Sequence, residues 1–156
     1  MGTHYRGSAD ELRALDAYVK LRRAANTVGA RETARMRRSG LTESQFGVLE
    51  ALLHRGPMCQ KDLATKLLRS TANITTVIDN LERDGLVERQ RGGADRRVVT
   101  VVLSEAGRRL IERIFPDHAA AIVGDLAALA PGEQTELARL CRKLGLAAVG
   151  DERSND

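Results

Sequence analysis

Between Gln60 and Leu103 the spacing of apolar residues changes once, at Gly85, and that change restricts what the chain can fold into. Before it the period is helical. Leu63 and Leu67 share a face in the short run from Gln60 to Leu68, and Ser70 offers an N-cap for a second helix expected to reach about Asp84. In that helix Ile74, Val77, Ile78 and Leu81 recur at i, i+3, i+4 and i+7, so one stripe is expected to face a core. After Gly85 the period is that of strands. Leu86–Arg91 and the β-branched run Val98–Leu103 flank a basic tip, Gly92-Gly93-Ala94-Asp95-Arg96-Arg97. Gly85 itself stands where a helix end needs a residue at ease with positive φ.

Opposite the apolar stripe, the second helix carries Ala72, Thr75, Thr76 and Asp79, with Asn73 and Asn80 on the flank. That face is short, polar and almost free of large charged side chains. Small hydroxyl and amide groups let a helix approach base edges in the DNA major groove. Helix, turn, helix and then a basic two-stranded hairpin is the layout of a winged helix-turn-helix. The fold expected is therefore mainly α with a small β-wing, its core flanked by helices at both chain ends. The turn Leu68-Arg69-Ser70 lacks the glycine often seen there, which leaves its geometry open.

Composition narrows the partner. Aromatics are 3% of the 156 residues, too few for rows of base-stacking platforms on a single strand. A formal charge of +4 permits nucleic-acid binding without establishing it, and the placement of Arg89, Arg91, Arg96 and Arg97 in or beside the wing says more. The 42% of apolar residues excludes wholesale disorder, and one compact unit is expected. Two cysteines, Cys59 and Cys141, do not make a disulfide scaffold; with no signal peptide or long apolar run, a cytoplasmic protein without a membrane partner is expected.

Outside this stretch, Ser8 with Glu11 and Thr42 with Gln45 form capping boxes that open two further helices. The first carries a broad apolar face (Leu12, Leu15, Tyr18, Val19, Leu21, Ala25, Val28) and a basic end, Arg31, Arg35, Arg37 and Arg38. That run reads as a solvated face or dipole complement, with phosphate contact as the alternative. The second has Phe46, Leu49 and Leu53 as a core stripe and ends at Gly56-Pro57, leaving room at Met58 for a short strand. After the wing, Ser104 and Glu105 start a helix with Leu110, Ile111 and Ile114 inward; Pro116 should kink or break it before the stripe resumes at Ile122, Val123, Leu126 and Leu129. A last helix from Pro131 carries Leu137, Leu140, Cys141 and Leu144 on one face and is expected to end at Gly145. Flanking helices with so much apolar surface call for a homodimer built from both chain ends, or else for packing within one chain.

Leu81-Glu82-Arg83-Asp84-Gly85-Leu86-Val87, Asp95-Arg96-Arg97 and Leu103-Ser104-Glu105-Ala106-Gly107 together resemble the MarR family of bacterial transcription regulators, and the likeness covers nearly the whole chain. The resemblance implies a single domain: a dimerisation helix over 8–39, a winged helix-turn-helix over 42–103 with a small third strand against the wing, and dimerisation helices over 104–149. It implies a repressor dimer on a pseudo-palindromic operator of double-stranded DNA. Ser70 and Thr71 then stand as phosphate donors at the helix start. Ala72, Asn73, Thr75, Thr76 and Asn80 are the base-reading candidates. In the wing, Arg97 matches the family's minor-groove arginine, Arg96 is the phosphate partner, and Asp95 holds an arginine in place, an ordinary exposed turn pair being the alternative.

Family members are released from DNA by small phenolic ligands, by thiol oxidation or by metals. Lys66-Leu67-Leu68, Asn73–Asp79 and Ile114-Phe115-Pro116-Asp117-His118 look like the branch responsive to quinones and catechols. Tyr18, Arg22, Phe46, His54, Phe115 and His118 are candidates to line such a pocket, although each aromatic also reads as core. Cys59, at the expected start of the helix from Gln60, is a candidate redox thiol or a simple cap. Cys141 reads as packing. His4, His54 and His118 lack metal-ligand spacing, so neither a metal nor a cofactor is assigned. An enzyme finds no support, since no phosphate-cradling glycine loop or locally activated nucleophile is present. A winged helix serving only as a protein-interaction module, and a metal-responsive regulator, remain the competing readings.

Overall fold

A computed structural model describes residues 5–91 and 99–152, with side chains as far as Leu146. Its elements are α1 (Ala9–Arg38), α2 (Glu43–Arg55), β1 (Met58–Cys59), α3 (Gln60–Lys66), α4 (Thr71–Arg83), β2 (Val87–Arg91), β3 (Val99–Leu103), α5 (Glu105–Asp125) and α6 (Pro131–Glu152). It is mainly helical with a small antiparallel sheet, a winged helix-turn-helix. The chain divides at Pro116 into two compact units.

In the first unit both expected capping boxes form. The Ser8 and Thr42 side chains accept from the Glu11 and Gln45 backbone N–H groups, and those side chains accept in return from the cap N–H groups. The core lies between α2, α3, α4, the sheet and the first half of α5. Phe46, Leu49, Leu52, Leu63, Ile74, Ile78, Leu81, Val101 and Ile111 are closed off from solvent there. The sheet order is β1-β3-β2, with Met58 opposite Val101 on one side of β3 and Arg89 opposite Val101 on the other. Directly opposite residues project from the same face of a sheet, so Arg89 shares the helix-covered face with Val87 and Val101.

Three helices end alike. After α1, Gly40 and Leu41 N–H donate to the Arg37 and Met36 carbonyls. After α4, Gly85 and Leu86 N–H donate to those of Glu82 and Leu81. After α3, Leu68 and Arg69 N–H donate to those of Thr65 and Ala64. Each is a Schellman closure, which needs a left-handed residue just past the cap. Gly40 and Gly85 supply it in two cases, and in the third Leu68 does so at φ 50. The missing glycine of the helix-turn-helix turn is thus replaced by a leucine in a glycine conformation, its side chain 88% exposed.

The wing root is joined to α5 by a close approach. Ser104 Oγ donates to the Gly85 carbonyl at 2.7 Å and accepts from Gly107 N–H at 3.0 Å, while Ser104 N–H donates to the Leu86 carbonyl at 3.1 Å. A Cβ on Gly107 would stand 1.9 Å from the Leu86 carbonyl oxygen. This contact explains the serine and the glycine of the Leu-Ser-Glu-Ala-Gly run.

Two expectations need correction. Of the kink or break expected at Pro116, the break does not occur, since the proline lies inside α5, and α6 runs past Gly145 to Glu152. Proline forfeits one backbone bond but its φ is helical, and buried Ile111 with core-packed Leu110, Ile114 and Phe115 anchors the turns before it. Gly145 costs a helix interior only about 1 kcal/mol, which does not by itself stop one.

Two stability outcomes follow. Gly107→Ala should lower stability by about 3 kcal/mol, read as a lowered urea midpoint, because the clash is with backbone. Leu68→Gly should leave stability unchanged or raise it by up to ~1 kcal/mol, since relief of the left-handed backbone outweighs the added unfolded-state entropy. A loss in thermal denaturation would show that the Leu68 side chain contributes packing.

Candidate nucleic-acid interface

Ser70 caps α4, its Oγ accepting from Asn73 N–H at 3.2 Å. With Ile74, Val77, Ile78 and Leu81 buried, the helix presents its other side outward. Thr71, Ala72, Asn73, Thr76 and Asp79 are exposed, and Thr75 and Asn80 are half-buried. The structure therefore gathers the candidates on α4 onto one outward surface. The Thr76 hydroxyl turns back to the Ala72 carbonyl at 3.3 Å, and the Thr75 hydroxyl to that of Thr71 at 2.9 Å. Thr75 Oγ1 also accepts from the Gln60 side-chain amide, which ties α4 to the start of α3. At the turn, Arg69 pairs with Glu43 of α2 at 3.3 Å.

Arg89 behaves differently from a free wing arginine. Its Nη2 lies 2.5 Å from Asp79 Oδ1, its Nη1 bonds Glu82 Oε2, and its backbone N–H donates to Glu82 Oε1 at 3.1 Å. Burial pulls its pKa down; the hydrogen bonds and charges of Asp79 and Glu82 more than reverse this, and the group lies above the ordinary arginine value. Sequence reasoning grouped Arg89 with the basic wing and missed this clamp. The signal was there: Asp79 and Glu82 stand at i, i+3 on α4, and Arg89 alternates with Val87 on the inward face of β2. Asp95, Arg96 and Arg97 lie outside the described residues.

Of the pocket candidates, the structure brings together Tyr18 with Arg22 and His54 with Phe115. Arg22 Nη1 donates to the Tyr18 hydroxyl at 3.1 Å, with the guanidinium 5.8 Å from the ring centroid, and that bond holds the arginine pKa above its usual value. Tyr18 also borders an open depression of about 710 Å³ with Tyr5, Glu11, Ala14 and Leu15. His54 meets the Phe115 ring edge-on at 4.7 Å and borders a cleft of about 260 Å³ with Glu50 and Lys66. Phe46 is in the core, and His118 is buried in the second unit. Cys59 caps α3, its Sγ accepting from Asp62 N–H at 3.4 Å. Cys141 is exposed in the single chain, as is the Leu137, Leu140 and Leu144 stripe around it. No helix among the described residues is long and apolar enough to cross a membrane.

The profile of the MarR family matches residues 41–99, the stretch from the lead-in to α2 through the start of β3. Over 134 residues the chain is 34% identical to the HTH-type transcriptional regulator YkoM of Bacillus subtilis, covering 86% of this chain and 87% of that protein. The chain belongs to the MarR family. Among other MarR-like relatives, the HTH-type transcriptional regulator MhqR of B. subtilis is 32% identical over 136 residues, 87% of this chain and 94% of its own. The structure of BpsR from Bordetella bronchiseptica, whose DNA binding is regulated by 6-hydroxynicotinic acid, superposes with a TM-score of 0.75 at 30% identity, covering 83% of this chain and 98% of that one. As a MarR family member the protein is a DNA-binding transcriptional regulator and not an enzyme.

Ser70→Ala should cost about 1 kcal/mol of stability through loss of the α4 cap alone. Chemical denaturation against Ser70→Thr, which keeps the acceptor, measures it.

Proposed function

We propose that the protein is a dimeric, cytoplasmic repressor of a pseudo-palindromic operator, released by a small aromatic ligand. The observation that carries the DNA-reading part is the two-faced α4: a buried aliphatic stripe behind, and short polar side chains in front. Asn73 and Asn80 suit two-point bonding to adenine. Thr76, with its hydroxyl turned to the backbone, has its methyl left for thymine. Ser70 and Thr71 take phosphates at the helix start, and Arg96, Arg97 and Asp95 extend the contact from the wing tip. Two such helices in successive major grooves require centres roughly 34 Å apart.

Dimerisation through residues 8–39 and 104–149, around a DNA-binding core of 42–103, is supported by what those helices leave uncovered. Leu15, Tyr18, Val19 and Leu21 on α1 and Leu137, Leu140, Leu144 and Leu146 on α6 are exposed in the single chain. A second copy gives them cover. For the effector, the 6-hydroxynicotinic acid response of BpsR supports a small aromatic acid or a related phenolic or quinone compound. Tyr18 with Arg22, and His54 with Phe115, are two polar–aromatic pairs offered to it, with Phe46 and His118 the remaining candidates. A second route runs through Cys59. It caps α3, and the next residue, Gln60, holds Thr75 on α4, so thiol modification would be felt by the reading helix.

Duplex DNA from the gene's own upstream region should bind tightly and with strong salt dependence. Asn73→Ala should cost about 1–3 kcal/mol at one sequence position, and a phosphate-contact variant should flatten the salt slope by about one. Salicylate, 6-hydroxynicotinic acid or a quinone should release the DNA. Cys59→Ser keeps the cap, so release by quinone or oxidant that survives it assigns the effect to a pocket, and release that disappears assigns it to the thiol. Equal affinity for random duplex would overturn the repressor reading.

A further inference from the structure

We propose that Arg89 is a positioning residue that locks the wing strand to the recognition helix and neutralises its reading face, and is not itself a DNA contact. The proposal rests on α4 being the base-reading helix. Asp79 stands on the outward row of α4, beside the groups offered to the bases, and Glu82 follows one turn later. Two uncompensated carboxylates there would face a polyanion. Arg89 meets both: one guanidinium nitrogen reaches Asp79 at 2.5 Å, another bonds Glu82, and Glu82 also takes the Arg89 backbone N–H at 3.1 Å. Its side chain is only 24% exposed, against 57% and 40% for the two acids. The planar fork is thus occupied and turned inward, as its register opposite buried Val101 dictates. A lysine, with one ammonium, cannot hold both carboxylates in that geometry.

The linkage has a consequence for recognition. It joins β2 to α4 by side chain and main chain at once, so the angle at which the wing leaves the helix is set on the protein and not by the DNA. The two parts of the DNA-reading surface then arrive at a fixed spacing, and the ordering cost is met in folding instead of in binding.

A double-mutant cycle tests this on a duplex that the wild-type protein selects from a randomised pool. Arg89→Gln should weaken binding roughly tenfold or more, a coupling-sized effect. In the Asp79→Asn/Glu82→Gln background the same change should cost less than about twofold, within the error of additive behaviour. The salt slope should be unchanged by Arg89→Gln, since no phosphate contact is lost. Arg89→Lys, which keeps the charge and spares the fold should Arg89→Gln unfold, should behave like Arg89→Gln. Equal losses in both backgrounds, a slope lower by about one, or full rescue by lysine would each identify a phosphate contact and overturn the proposal. A wild-type protein that selects no sequence would remove the reading helix itself and the role of Arg89 with it, a failure told apart by appearing before any substitution is made.

Discussion

The Leu86 carbonyl is the point on which the DNA-binding unit turns. It accepts from Ser104 N–H at 3.1 Å, and Gly107 lies so close to it that no side chain fits there. One residue earlier the Gly85 carbonyl takes the Ser104 hydroxyl, and the Leu86 N–H closes α4 on the Leu81 carbonyl. The end of α4, the root of the wing and the start of α5 are therefore tied within two residues of chain. Because these are backbone groups with fixed reach, the three elements have little freedom to rotate against one another. The pairing of β2 with β3, and through β3 with Met58 and Cys59, extends from this knot.

Around that knot, polar bonds hold α4 at its edges and at its first turn. Gln60 holds Thr75 from α3, Arg89 holds Asp79 and Glu82 from β2, and Ser70 satisfies the first turn from within. The apolar stripe supplies the bulk of the stabilisation, on the order of 2 kcal/mol for each fully buried aliphatic chain. The polar bonds contribute less each, but they choose one rotation of the helix on its bed. With that rotation fixed, Ala72, Asn73 and Thr76 are held outward on one row before any partner arrives.

How much of this could be read from the residues alone depended on range. The helices with capping boxes, the aliphatic stripe of α4 and the change of period at Gly85 are local patterns, and each reappears in the structure because local propensity and burial agree there. Leu68 is the instructive exception. Glycine is the usual mark of a left-handed residue, so a leucine gave no signal, and only the paired bonds from Leu68 and Arg69 to the end of α3 reveal the closure. The Arg89 clamp left a signal in its spacing but was missed, because it joins positions 7 and 10 residues apart across a change of element. Its charge had grouped it with the other arginines of the wing. Pro116 and Gly145 failed as stop signals for a related reason: a breaker's cost is modest beside the packing of a long helix.

The site divides the same way. The outward row of α4 was legible because its residues lie on one helix with one period. The pocket candidates come from three helices, and sequence spacing says nothing about which of them meet between helices; the structure pairs Tyr18 with Arg22 one turn apart on α1, and His54 of α2 with Phe115 of α5. The apolar faces of α1 and α6 were legible as faces but not as to what covers them. In the single chain they are bare, while the core around Leu49, Ile78 and Leu81 is closed. The DNA-binding unit therefore has its own core and its own internal ties, and the flanking helices have stripes without one. That asymmetry separates the two parts energetically: the knot at Leu86 and the closed core make the first unit's α4 and wing root one rigid piece, while the apolar stripes of α1 and α6 are left without such ties in the single chain.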